Sequence, residues 1–298
     1  MTNRRYSYES SVKSTISDEL INTHVIRPLA GLLVRPLYYT SITPNQVTLA
    51  SIVAGSLAAF FYLNDTHASN IIAASCIILK DILDSADGQL ARAKLKFSRI
   101  GRFLDSLGDL FVNLLVFSAI GFALYSSTGE MSVFVLAAIA FCGTTLRVSY
   151  HVFYHTSFLH LQNRYTVNRL TEEVRKEDLD QEPLALLLQR TFVLVYGWQD
   201  ILMQKIDHWC RDESKHSHAA VQEWFSDRIG LRISGLLGLG TEVFLLTVFS
   251  VLNELDVYLY VNVFILNLVF VAAIVYRRWS LSPKVTQQNH LVQRGDSP

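Results

Sequence analysis

The sequence predicts an all-α protein: a polytopic membrane bundle of six transmembrane helices, preceded by an N-terminal interfacial amphipathic helix. Half of the 298 residues are hydrophobic, and they are gathered into runs. Six runs approach the ~20 residues that a helix needs to cross a bilayer: about 46–63, 70–91, 104–125, 131–150, 233–252 and 256–276. Basic residues fall in every second connection, as expected of a chain that crosses a membrane repeatedly.

Taken in order, residues 1–42 are polar and mixed, with no short apolar core of the kind a signal peptide carries. Within them Ile21 to Tyr39 is half apolar, broken by Pro28 and Pro36, and suits a helix lying in the membrane interface. Asn45 and Thr48 open the first span, where helix capping is their simplest role. The second span is apolar mainly from Ile71 to Leu79 and then turns polar on one face. Polar groups at that depth require a cavity filled by water or ligand. After the fourth span comes a long charged connection, about 151–231. Leu184 to Trp209 is apolar and aromatic inside it, but Arg190 interrupts the run. That stretch is expected to lie on the membrane surface or pack under the bundle. The expected organisation is a segment 1–42, a six-helix unit 43–277 and a tail 278–298.

Arg4, Arg5, Lys13, Arg27 and Arg35 precede the first span; Arg92, Lys94, Lys96, Arg99 and Arg102 lie between the second and third. The tail carries Arg277, Arg278, Lys284 and Arg294, whereas the connections N-D-T-H-A-S-N, S-S-T-G-E and N-E-L-D carry no Lys or Arg. The positive-inside rule therefore places both termini and the junction of spans two and three on the cytoplasmic side, at the inner membrane if the cell is bacterial.

That junction holds the informative residues. It reads D-S-A-D-G-Q-L-A-R, eight further residues, then G-R-F-L-D-S-L-G-D. At about 100° per residue, Asp84, Asp87, Gly88, Ala91 and Arg92 share one arc of a helix. Gly101, Asp105, Gly108 and Asp109 share an arc of the next. Two such faces joined by a short turn can converge four carboxylates. These cannot all stay ionised without a counter-charge. Oxygen-only ligands favour a hard divalent ion, Mg²⁺ or Mn²⁺, over zinc. Glycine and alanine let a bulky ligand approach the backbone. Arg92 can neutralise a phosphate or pair with an acid. Ionisable residues at membrane depth are costly, so the set reads as a functional site, and metal, gap and arginine together suggest phosphoryl-group chemistry.

This arrangement resembles the signature of the CDP-alcohol phosphotransferase family, D-x-x-D-G-x-x-A-R-x8-G-x3-D-x3-D, at Asp84, Asp87, Gly88, Ala91, Arg92, Gly101, Asp105 and Asp109, with no departure. T-P-N-Q-V-T, Thr43 to Thr48, resembles the segment that opens the family's first membrane helix, where the resemblance suggests nucleotide contact for Asn45 and Thr48. The resemblance implies transfer of a substituted phosphoryl group, typically phosphatidyl, from a CDP-alcohol such as CDP-diacylglycerol to an acceptor hydroxyl, with release of CMP in phospholipid biosynthesis. It implies two divalent ions, with Asp84, Asp87 and Asp105 as main ligands and Asp109 as ligand, general base or both. Gly88, Ala91 and Arg92 would border the CDP moiety, with Gly101 among the donor-binding positions. The implied partners are a lipid-linked donor, a hydroxyl acceptor, membrane lipids and a second copy in a homodimer; no nucleic acid is expected.

Two rival readings remain at this stage. An intramembrane Mg²⁺-dependent prenyltransferase also uses Asp-rich helices, but its sites pair Asp with Asn in separated motifs. A non-enzymatic cation carrier gives no reason for two glycines and an arginine on the acidic faces. Outside the motif, Lys80 and Asp81 suggest a local ion pair or a supporting group. Arg147 and Arg232 suit either an anionic acceptor or snorkelling. Glu242 suits either function or pairing with an arginine. His151, His155 and His160 suit a solvated loop at least as well as a metal. Cys76, Cys142 and Cys210 lack metal-ligand spacing.

Overall fold

The computed structural model describes residues 6–11, 19, 21–162, 182–211 and 218–281. Most of the tail and the stretch 163–181 of the long connection lie outside these residues, as do Arg4, Arg5, Lys13, Lys284 and Arg294. Among the described residues the regular structure is entirely helical. Ten helices organise it: α1 (Arg27–Leu37), α2 (Pro44–Tyr62), α3 (His67–Lys94), α4 (Arg99–Thr128), α5 (Ser132–Leu161), α6 (Pro183–Arg211), α7 (His218–Ser226), α8 (Arg228–Gly235), α9 (Leu239–Leu252) and α10 (Leu255–Trp279). Five segments are long and apolar enough to cross a membrane: α2, α4, α5, α8 with α9 (Arg228–Leu252), and α10. The chain is an integral membrane protein on that count. The sixth expected span is α3, whose 28 residues reach roughly 42 Å at 1.5 Å per residue. Its polar face keeps it out of the apolar class.

The site-bearing helices start on strong local signals. Thr43 caps α2 with a capping box: its side chain accepts from the Gln46 N–H, and Gln46 Oε1 accepts from the Thr43 N–H at 2.9 Å. Pro44 follows at N1, where its missing N–H costs nothing. Capping therefore falls to Thr43, not to Asn45 or Thr48. Thr66 caps α3, and Ser98 caps α4. Between α3 and α4 the chain turns through Leu95, which is left-handed at φ 52°. Lys94 pins this turn to the segment before α2 through Thr40 O at 2.8 Å and Ile42 O at 2.7 Å.

α2 and α4 approach closely along a seam of small residues. A Cβ at Gly101 would strike Asn45 Oδ1, one at Gly108 would strike Ile52, and one at Gly55 would strike Val112. Ala58, Tyr62, Ala73, Ile77, Val116 and Ile120 continue this core, with Tyr258 and Leu246 from α10 and α9. α1 packs on α2 and α3 through Ala30, Val34, Val47, Ala86 and Leu90, and Gln89 Nε2 donates to Arg27 O at 3.0 Å. Its other side leaves Leu29 and Leu32 exposed, with Val25 exposed in the stretch just before it, which gives the amphipathic segment expected. The prolines do not break it. Pro28 sits in the first turn and Pro36 in the last, where few helical bonds are lost, and a π-helical stretch at Asn22–Ile26 leads in.

α6 is a 29-residue helix with two faces. Ala185, Gln189, Gln199, Met203, Asp207 and Cys210 are buried, while Leu184, Leu187, Leu194, Trp198, Ile201 and Trp209 form an exposed apolar stripe. Tyr196 donates to Ser106 O of α4 at 2.8 Å, and Asp207 accepts from Tyr154 of α5 at 3.0 Å and from Trp224 Nε1 of α7 at 2.9 Å. The helix thus packs against the bundle.

Two expectations change, and Arg277 takes a place its charge did not signal. His151, His155 and His160 belong to α5 rather than to a loop, because α5 runs on past residue 150; His151 is buried, 3.7 Å from Glu19. Arg147 faces neither an acceptor nor a headgroup: it is buried against Glu242, which settles the alternatives for that acid as well. Arg277 is fully buried, its guanidinium 3.5 Å from the Tyr154 ring centroid, so it is a core residue.

Candidate active site

α3 and α4 form the hairpin that carries the motif. The capped start of α4 and the turn through Leu95 set the two acidic arcs face to face. Asp84, Asp105 and Asp109 each offer a carboxylate oxygen, and these atoms lie within 4.8 Å of one another. All three side chains are partly accessible, so a small ligand can reach them. Asp105 Oδ1 is nevertheless buried and has no hydrogen-bond partner among the described residues. An orphaned carboxylate oxygen is expensive, and it faces two further acids here. A hard divalent cation fits this donor set.

Asp87 stands outside the trio. It is buried, and its Oδ2 accepts a short bond from the Thr48 hydroxyl of α2. Thr48 also donates to Pro44 O at 3.2 Å. Sequence spacing placed Thr48 near the start of α2 but carried no sign of this contact, which only the packing of α2 on α3 creates.

The remaining motif positions lie on the same two helices. Gly88 leaves room beside the Arg92 guanidinium, which an added Cβ would meet at 3.4 Å. Ala91 is half-buried on the same arc. Arg92 Nε donates to Ser11 O at 2.5 Å, so the N-terminal turn Tyr8–Ser11 lies against it. Gly101 is occupied by a neighbour: its missing side chain makes room for Asn45.

Of the two roles open to Lys80, a local ion pair with Asp81 or a supporting group, its contacts fit the second. Its ammonium makes a short ion pair with Asp109 Oδ1 and lies 3.8 Å from Asp84 Oδ1. The local pairing with Asp81 gives way to these partners because adjacent residues on a helix point to different sides, whereas residues four apart face each other. The i, i+4 spacing to Asp84 was the available signal; the reach to Asp109 had none.

The described residues thus form an all-helical membrane bundle in which one helical hairpin carries three carboxylates able to hold a metal ion. The chain belongs to the CDP-alcohol phosphatidyltransferase family, whose profile matches residues 41–211, more than half of its length. It is 31% identical over 147 residues to the bifunctional IPC transferase and DIPP synthase of Thermococcus kodakarensis, covering 49% of this chain and 32% of that protein. Over 69 residues it is 42% identical to the archaetidylinositol phosphate synthase of Pyrococcus horikoshii, 23% of this chain and 35% of that protein. Over 123 residues it is 32% identical to the phosphatidylinositol phosphate synthase of Streptomyces avermitilis, 40% of this chain and 46% of that protein. The alignments span less than half the length of each of these relatives.

Proposed function

We propose that this protein transfers a substituted phosphoryl group from a lipid-linked CDP-alcohol to an acceptor hydroxyl and releases CMP. The observation that carries the reading is the trio Asp84, Asp105 and Asp109 with its unpartnered Asp105 oxygen, set beside Gly88, Ala91 and Arg92. Asp84, Asp87 and Asp105 would hold Mg²⁺ or Mn²⁺, as two ions. Bound there, the metal supplies Lewis-acid neutralisation of the diphosphate and of the leaving CMP. Gly88 and Ala91 make space for the nucleotide against the helix, and Arg92 balances phosphate charge. Asp109 takes the acceptor's proton as its oxygen attacks the phosphorus that bears the alcohol. The bond to the bridging oxygen then breaks, and CMP departs with that oxygen.

Residues 43–277 would form the catalytic unit, between a segment 1–42 and a tail 278–298. Alternating loop charge supports a cytoplasmic site with cytoplasmic termini. The resemblance supports a homodimer, which light scattering in detergent would test. The names of the relatives make an inositol phosphate the first acceptor to try.

The test is incubation of the purified protein with radiolabelled CDP-diacylglycerol, Mg²⁺ and a panel of alcohols including inositol phosphate. CMP and one labelled lipid should appear together. Turnover of a labelled prenyl diphosphate instead would overturn the reading.

A further inference from the structure

Lys80 lies one helical turn before Asp84, outside every position of the motif. It is 3% exposed, and a Cβ at Gly55 of α2 would come within 3.2 Å of its Cγ, so the stem is enclosed. A lysine buried this far is costly unless its charge is matched. The match is Asp109 Oδ1 on the opposite helix, with Asp84 Oδ1 at 3.8 Å. A carboxylate has two oxygens. With one engaged by the ammonium, Asp109 has less charge to offer a cation than Asp84 or Asp105 has.

We propose that Lys80 is a positioning residue: it holds Asp109 by one oxygen, keeps it from becoming a full metal ligand, and reserves it for the acceptor hydroxyl. The inference rests on the transferase reading above and separates the two roles open to Asp109. Lys80 and the metal then compete for the same carboxylate. Losing Lys80 should improve metal binding while harming turnover. A side chain that merely supports the fold would weaken both.

The experiment uses the full chain in lipid nanodiscs. Mn²⁺ affinity is read by electron paramagnetic resonance, and single-turnover CMP release from CDP-diacylglycerol is read in parallel. Lys80→Met should tighten Mn²⁺ binding on the order of tenfold, because a neighbouring cation is lost. It should slow CMP release by about 10–100-fold, part of the loss expected for a misplaced general base. Lys80→Arg keeps the cation and should bind Mn²⁺ within about twofold of wild type. In an Asp109→Asn background, Lys80→Met should add less than about threefold to the loss of rate, since the two act through one group. Weaker or unchanged Mn²⁺ binding in Lys80→Met, or an equal rate cost in both backgrounds, would overturn the proposal. If wild type released no CMP, the reaction would be misassigned. Tighter Mn²⁺ binding in Lys80→Met would still uphold the competition, and weaker binding would still refute it.

Discussion

Arg147 of α5 donates from Nη2 to Glu242 Oε2 of α9 at 3.0 Å, in a pair that is almost wholly buried. Tyr258 donates to the other oxygen at 2.5 Å, and Arg147 also reaches Asn267 Oδ1 at 2.6 Å and Thr144 Oγ1 at 2.9 Å. One polar cluster thereby joins three of the membrane-spanning segments. Removing one partner of such a pair typically costs about 3–5 kcal/mol, because the other charge is left buried. Glu242→Gln should therefore lower the thermal unfolding midpoint in detergent clearly. The double variant Arg147→Met, Glu242→Gln should lose less than the sum of the two singles. Strict additivity would mean that the pair does not act as a unit.

Metal dependence follows from the proposed ligand set, Asp84, Asp87 and Asp105. An excess of chelator should abolish CMP release, and Mg²⁺ or Mn²⁺ should restore it. Full turnover in chelator would refute the metal assignment.

Ala91 shares an arc with Asp84, Asp87 and Gly88. Ala91→Leu should block binding of the CDP-alcohol while the protein stays monodisperse with an unchanged unfolding midpoint. Unchanged affinity for a labelled donor would show that this face does not hold it.

Asp109 and Asp87 should fail differently. Asp109→Asn keeps size and one oxygen but removes basicity, so single-turnover rate should fall by about 10²–10⁴ while donor affinity falls far less. Asp87→Asn should reduce affinity and rate together, and should also disturb the contact with Thr48. Near wild-type rate in Asp109→Asn would leave Asp109 as a spare ligand at most.

What could be read from the chain was whatever depends on spacing within one helix. The arcs of Asp84, Asp87 and Ala91, and of Asp105 and Asp109, follow from helical period alone, and the apolar runs located the spans to within a few residues at most ends. The C-terminal end of α5 was missed by more, because a helix continues past its apolar run wherever tertiary packing covers it; Tyr150, Tyr154 and Phe158 are buried there. Contacts between distant elements left little trace. Thr48 with Asp87, Lys80 with Asp109 and Ser11 with Arg92 each join different helices or a helix and the N-terminal turn. The burial of Arg277 against the rings of Tyr154 and Trp224 left no trace in the sequence for the same reason.

The hairpin of α3 and α4 has a consequence for how the chain enters the membrane during synthesis. α3 carries Lys80, Asp81, Asp84, Asp87, Arg92 and Lys94, and is absent from the segments apolar enough to cross unaided. Partitioning into lipid one helix at a time would strand those charges in hydrocarbon. α3 is therefore expected to enter together with α4, with Lys80 already facing Asp109. A nascent chain that stops before residue 99 should leave α3 in the aqueous phase, and one that includes α4 should bring it in.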